Sequence, residues 1–145
     1  MQIEGSTGRG GICYGLGVPS PRRIRPAVQD STPSLQFRPR IFHQGEIALG
    51  PGKADLLSAI QAHGSIAKGA KSLGMSYMRA WTLVKIMNHA FCGPLVEVDR
   101  GGARGGAAKL TPLGQEVLAL YRTLIEQSEK VTRPSWVRLR RRLIG

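Results

Sequence analysis

Apolar residues are periodic only in the middle of the chain. Within residues 40–131 the period is first helical, then two, then helical again. Ile41 to Leu49 reads as a weak strand, and Gly50-Pro51-Gly52 breaks it. Leu56, Leu57 and Ile60 then recur at helical spacing, predicting a helix from about Lys53 to Ala62. His63-Gly64 ends it, glycine suiting a left-handed cap. Ser65 is a candidate N-cap for a short second helix with Ile66, Ala70 and Leu73 on one face, ended by Gly74. Ser76 caps a third helix to about His89, where Ala80, Val84, Met87 and Phe91 share a face and Trp81 lies beside them. After Gly93-Pro94 the period becomes two: Leu95, Val96 and Val98 oppose Glu97 and Asp99. The glycine-rich run from Gly101 to Gly106 reads as a hairpin tip, with Ala107 to Leu110 as the return strand. Thr111-Pro112, cap and first residue, opens a last helix striped with Leu113, Val117, Leu120, Tyr121 and Leu124.

Strand, three helices, hairpin and helix, with a tight Gly74-Met75 turn between two short amphipathic helices, predict a mainly α fold with a small β-hairpin wing: a winged helix-turn-helix. Before residue 40 glycines give way to prolines and no period survives, so residues 1–39 read as a disordered extension. Residues 40–131 form the domain, and residues 132–145 read as a basic tail. No internal repeat is visible.

Charge narrows the function classes. The 145 residues hold 21 Lys and Arg against 9 Asp and Glu, a formal charge of +12. Such a field suits a phosphate-bearing partner, nucleic acid or an anionic surface. It divides unevenly: +3 over residues 1–39 (five cations, two acids), +4 over 40–131 (eleven and seven) and +5 over 132–145 (five and none). The chain is too short for a dinucleotide-binding or barrel enzyme with separate cofactor and substrate domains. Cys13 and Cys92 make no disulfide framework and read as reduced thiols. No apolar run approaches a membrane span, so a cytoplasmic, nucleoid-associated protein is expected. His43, His63 and His89 are scattered and give no metal spacing. Gly52-Lys53 lacks the flanking residues of a phosphate loop, and the 101–106 run lacks the dinucleotide register. No catalytic residues, metal or cofactor are expected, and no enzyme.

The candidate chemistry is nucleic-acid contact. The third helix opens with Ser76, Tyr77, Met78 and Arg79. A cation in a first turn opposes the helix dipole, which makes sense if Arg79 meets phosphate or a guanine edge; the plain alternative is a solvated arginine. Ser76, Tyr77 and Thr82 are further contact candidates, Tyr77 equally a packing residue. Ser65, Lys68 and Lys71 belong to the second helix, which crosses the DNA backbone in this motif, though charge there also suits a solvated face. Arg100, Arg104 and Lys109 surround the hairpin glycines, where a flexible arginine suits a narrow minor groove and a loop with incidental charge is the alternative. Trp81 reads as core rather than a stacking platform. Trp136 among the tail arginines suits base stacking, an anionic surface or a solubilising tail.

The residues Gly64-Ser65-Ile66-Ala67-Lys68-Gly69-Ala70-Lys71-Ser72-Leu73-Gly74-Met75-Ser76-Tyr77-Met78-Arg79-Ala80-Trp81 resemble the N-terminal DNA-binding domain of the molybdate-dependent transcriptional regulators, the ModE family. Met87-Asn88, Pro94-Leu95-Val96-Glu97 before the glycine-rich wing, and Leu110-Thr111-Pro112-Leu113-Gly114 fit the same pattern. LysR-type regulators share it more loosely. The resemblance covers about residues 40–130 and implies a winged-helix binder of double-stranded DNA, usually a homodimer, whose third helix reads the major groove. Full-length regulators of this family continue into small β-barrel molybdate-binding domains; with the sequence ending at Gly145, molybdate binding is not expected of this chain. It is expected to regulate transcription, with control of molybdenum-related genes one option. The alternative is a sequence-independent nucleic-acid or protein-interaction module working through the Arg-rich tail.

Overall fold

A computed structural model describes residues 32–99 and 106–143, all but Thr32 lying within one unit, Pro33–Gly145. Four helices and two antiparallel strand pairs follow one another as β1 (Ile41–His43), β2 (Glu46–Leu49), α1 (Pro51–His63), α2 (Ile66–Ser72), α3 (Tyr77–Ala90), β3 (Val96–Val98), β4 (Ala108–Leu110) and α4 (Pro112–Arg140). The pairs are β1–β2 and β3–β4. A winged helix fits this arrangement in general terms.

The local chemistry explains most boundaries. Gly64 sits in the left-handed region and its N–H returns to the Ile60 carbonyl, closing α1. Ser76 accepts a hydrogen bond from the Arg79 N–H, and Thr111 from the Gly114 N–H, so α3 and α4 begin at side-chain caps. Ser65 occupies the cap position of α2 but makes no side-chain cap bond. One core joins Leu49, Leu56, Leu57, Ile60, Val84, Met87 and Leu95 with Val117, Leu118 and Tyr121 of α4. Two glycines permit its closest approaches. A Cβ on Gly69 would stand 3.2 Å from the backbone of Ala59 and Ile60, so α1 and α2 pack backbone to backbone there. A Cβ on Gly114 would collide with the Leu95 carbonyl oxygen, which lies directly under the first turn of α4.

The fold departs from the sequence reading in four places. The weak strand is a hairpin: Gln44 and Gly45 both take positive φ, +50° and +80°, the two-residue turn that returns β1 onto β2. Leu73 is exposed rather than on the apolar face of α2, because the helix ends at Ser72. On α4 the buried stripe runs through Val117, Leu118 and Tyr121, while Leu120 and Leu124 face outward. Neither expected boundary coincides with a structural one. Residues 33–39 belong to the compact unit, where the Tyr121 hydroxyl donates to the Pro39 carbonyl at 2.9 Å. At the other end, α4 continues past residue 132 to Arg140 instead of yielding to a separate tail. Trp136 lies half-buried and, with Leu35 and Phe37, lines an open groove of about 410 Å³. The rest of the expected extension, residues 1–31, lies outside the described residues.

Candidate nucleic-acid interface

From Leu56 to Val96 the chain contains no Asp or Glu, while Lys68, Lys71, Arg79 and Lys85 fall within it. Those four cations equal the whole net charge of residues 40–131, and all lie on α2 and α3. Lys68 and Lys71 are exposed on α2, away from its buried Ile66, Gly69 and Ala70. The Gly74 turn leads into α3, whose core side is Ala80, Val84 and Met87. At 100° per residue the opposite side is Met78, Thr82, Lys85 and His89, and all four are exposed.

The side chains on this surface are partly pre-arranged. The Ser76 hydroxyl oxygen accepts from the Arg79 N–H at 3.3 Å, which leaves its own proton free for a ligand. Tyr77, 51% exposed, stacks on Trp81 with ring centroids 6.5 Å apart and planes at 11°. The Lys85 Nζ lies 5.7 Å from the centre of the Trp81 ring. Trp81 packs against the core, as its sequence position suggested, and its outer face also carries this ladder at i, i+4 and i+8. The Thr82 Oγ1 donates to the Met78 carbonyl at 2.9 Å, so its hydroxyl proton is engaged within the helix. Arg79 is exposed beside Met78, and the first turn of α3 contains no acid.

Asn88 fixes the strand pair relative to α3. Its Oδ1 accepts from the N–H groups of Leu95 (2.8 Å) and Val96 (3.1 Å), and its Nδ2 donates to the Val96 carbonyl at 2.9 Å. The Ala108 N–H donates to the Gly64 carbonyl, tying β4 to the turn before α2. Lys109 faces Glu97 across the register and stands 3.7 Å from its carboxylate, both well exposed, so it is partly neutralised as a phosphate contact. Arg100 and Arg104 lie outside the described residues.

The structure therefore brings Ser65, Lys68, Lys71, Ser76, Tyr77, Arg79 and Thr82 onto neighbouring elements, α2, α3 and their leading turns. The sequence reading passed over Met78 and Lys85. Both lie on the α3 face opposite Ala80, Val84 and Met87, and the spacing of those core residues was the signal that could have identified them. Lys53, read there only as a failed phosphate loop, is buried and donates to the carbonyls of Ile47 and Ala48. Burial pushes its amine below the ordinary lysine range, partly offset by Glu46. Among the described residues, no group of three or more His, Cys, Asp or Glu is placed to hold a metal, and no helix is long and apolar enough to cross a membrane.

The unit is thus small and mainly helical, and it presents an acid-free, cationic helix pair beside a strand pair. No family model matches the chain. Over about half its length it is homologous, at about 40% identity, to the ModE and Mop molybdenum proteins. The DNA-binding transcriptional dual regulator ModE of Escherichia coli K12 is 39% identical over 87 residues, 60% of this chain and 33% of that protein. The transcriptional regulator ModE of Yersinia pestis is 39% identical over 97 residues, 67% of this chain and 35% of that protein. The molybdenum-pterin-binding protein MopB of Rhodobacter capsulatus is 41% identical over 73 residues, 50% and 27% of the two chains. The chain thus spans about a third of the length of these relatives.

Proposed function

We propose that this chain is a winged helix-turn-helix regulator of transcription that binds double-stranded DNA, without catalysis. In this reading α2 and α3 are the helix-turn-helix, α3 enters the major groove, and the β3–β4 pair is the wing on backbone or minor groove. The observation that carries it is the acid-free stretch from Leu56 to Val96, whose cations converge on α2 and α3. Two further facts support it: Asn88 holds the strand pair against α3, and the E. coli and Y. pestis relatives are named as transcriptional regulators. The matched stretch is taken as their DNA-binding part, because the described residues are mostly helical and their strands span only three or four residues. Control of molybdenum-related genes completes the reading.

Lys68 and Lys71 would hold phosphate, with Ser65, Ser76 and Tyr77 near the backbone and Arg79 at phosphate or a guanine edge. Arg100, Arg104 and Lys109 would serve the wing. Homodimerisation is supported by the outward stripe of α4, Leu120 (61% exposed), Leu124 and Val131 (78% exposed). A dimer would engage half-sites about 34 Å apart. Fluorescence anisotropy on a duplex selected by the full chain tests the assignment. Arg79→Ala should weaken binding by about 1–3 kcal/mol and relax preference at one base pair if Arg79 reads guanine. Unchanged affinity and preference would remove α3 from the interface.

One observation favours a second reading, sequence-independent binding. Arg133, Arg138 and Arg140 project from the distal half of α4, with no acid beyond Glu129. Replacing Arg138, Arg140, Arg141 and Arg142 with Gln separates the two. Loss of nearly all affinity, from a protein that enriched no sequence beforehand, would select the second.

A further inference from the structure

We propose that Met78 and Thr82 form an apolar reading patch for the 5-methyl groups of thymine; this rests on the assignment of α3 to the major groove. Met78 is 67% exposed, the most exposed large apolar side chain of α1 to α3. It lies in the first turn of α3, at the centre of the face opposite Ala80 and Val84, where core packing gives no reason for an apolar residue. Thr82 lies one turn on and donates its only hydroxyl proton to the Met78 carbonyl. That proton is not offered to a base, which leaves its γ-methyl and the acceptor side of its oxygen as contact groups. An unbranched, polarisable thioether beside a methyl makes an adaptable apolar surface.

The surroundings identify the occupant. Arg79 and Lys85 flank the two residues, and no carboxylate occurs between Leu56 and Val96. Two side chains are far too little area for a protein partner, which needs roughly 1,000 Å² of total burial. A small apolar patch bordered by cations matches a methyl group set among phosphates. In the major groove thymine alone among the four bases presents one. Arg79 and the lysines then supply position and affinity, while Met78 and Thr82 discriminate thymine from cytosine.

The test uses the full chain and a randomised duplex of about 20 base pairs, long enough for two half-sites. In the enriched sequence each thymine is replaced singly by deoxyuridine, which removes the methyl and keeps the pairing and the O4 acceptor. At one or two positions per half-site, binding should weaken about fourfold, the value of burying one methyl-sized group. Met78→Ala and Thr82→Ser, both at exposed positions, should abolish that sensitivity at their own positions. This response separates contact from any change in DNA stiffness. Enriched sequences bound equally well with uracil at every position would overturn the patch and leave α3 as the reading helix. Enrichment of no sequence, or of one whose preference survives both Arg79→Ala and Met78→Ala, would overturn the patch together with base reading by α3.

Discussion

Asn88 uses both ends of its side-chain amide: its oxygen serves two backbone donors and its nitrogen one acceptor. Asn88→Ala strands the N–H groups of Leu95 and Val96 and should cost about 2–3 kcal/mol, read as a lower urea midpoint. Asn88→Asp keeps the acceptors, loses the donor to Val96 and should fall between the two. Gly114→Ala is expected to be at least as damaging, because its Cβ meets the Leu95 backbone, which cannot rotate away. A soluble Gly114→Ala protein melting within about 1 °C of the parent, a shift far below even 1 kcal/mol, would contradict that packing. Neither role was legible from one sequence. Asn88 and Gly114 stood out only as positions within a family-like pattern, since a polar residue late in a helix and a glycine early in one carry no periodic signal. Their reason is a contact with Leu95, seven residues from the first and nineteen from the second.

Among the elements, helices announced themselves, and so did the ends capped by Gly64, Ser76 and Thr111; the far end of α4 and the β1–β2 turn did not. The Leu56–Ile60 and Ala80–Met87 spacings mark helices because burial on one side imposes the period. The β1–β2 turn was missed because Gln44-Gly45 is not one of the usual hairpin pairs, yet its φ values are those of one. The length of α4 was missed because arginines and Pro134 resemble a tail. Pro134 leaves the Lys130 carbonyl without its helical donor, so Pro134→Ala should slow amide exchange over residues 130–140 and raise helical ellipticity. Tyr121 joins α4 to Pro39, and its phenol is raised above the ordinary value of 10.0 by burial and Asp55, with Arg40 opposing. The folded chain therefore keeps that proton to higher pH than the unfolded one. The stabilisation is full below about pH 10 and falls as pH rises further. Lys53 runs the other way: burial lowers its pKa, the unfolded chain binds the extra proton below 10.5, and stability rises with pH through that window. Urea midpoints from pH 8 to 11 should therefore decline less steeply in Tyr121→Phe, which also loses about 1 kcal/mol at neutral pH with the hydroxyl bond.

For the whole molecule the decisive quantity is where charge lies. A total of +12 says only that a polyanion is a suitable partner; the distribution says which surface would meet it. Residues 40–131 carry only +4 in total. Their seven acids lie before Leu56 or after Val96, so the helix pair between them is as cationic as the flanks. This separates two kinds of contact by their dependence on salt. Each phosphate neutralised contributes roughly 0.9 to the slope of log K against log salt. Lys68→Gln with Lys71→Gln should lower the slope by about 1.8 per bound protomer, about 3.6 for a dimer on two half-sites, and leave the order of preferred sequences unchanged, because phosphate contacts carry affinity without sequence. Met78→Ala should do the reverse, leaving the slope intact while preference at thymine is lost. Titrations from about 50 to 200 mM salt on one selected duplex and one scrambled duplex measure both effects. A preference that disappears with the two lysines would mean that α2, not α3, approaches the bases. A slope unchanged by their loss would move the phosphate contacts to the arginines of distal α4, and the geometry of binding with them.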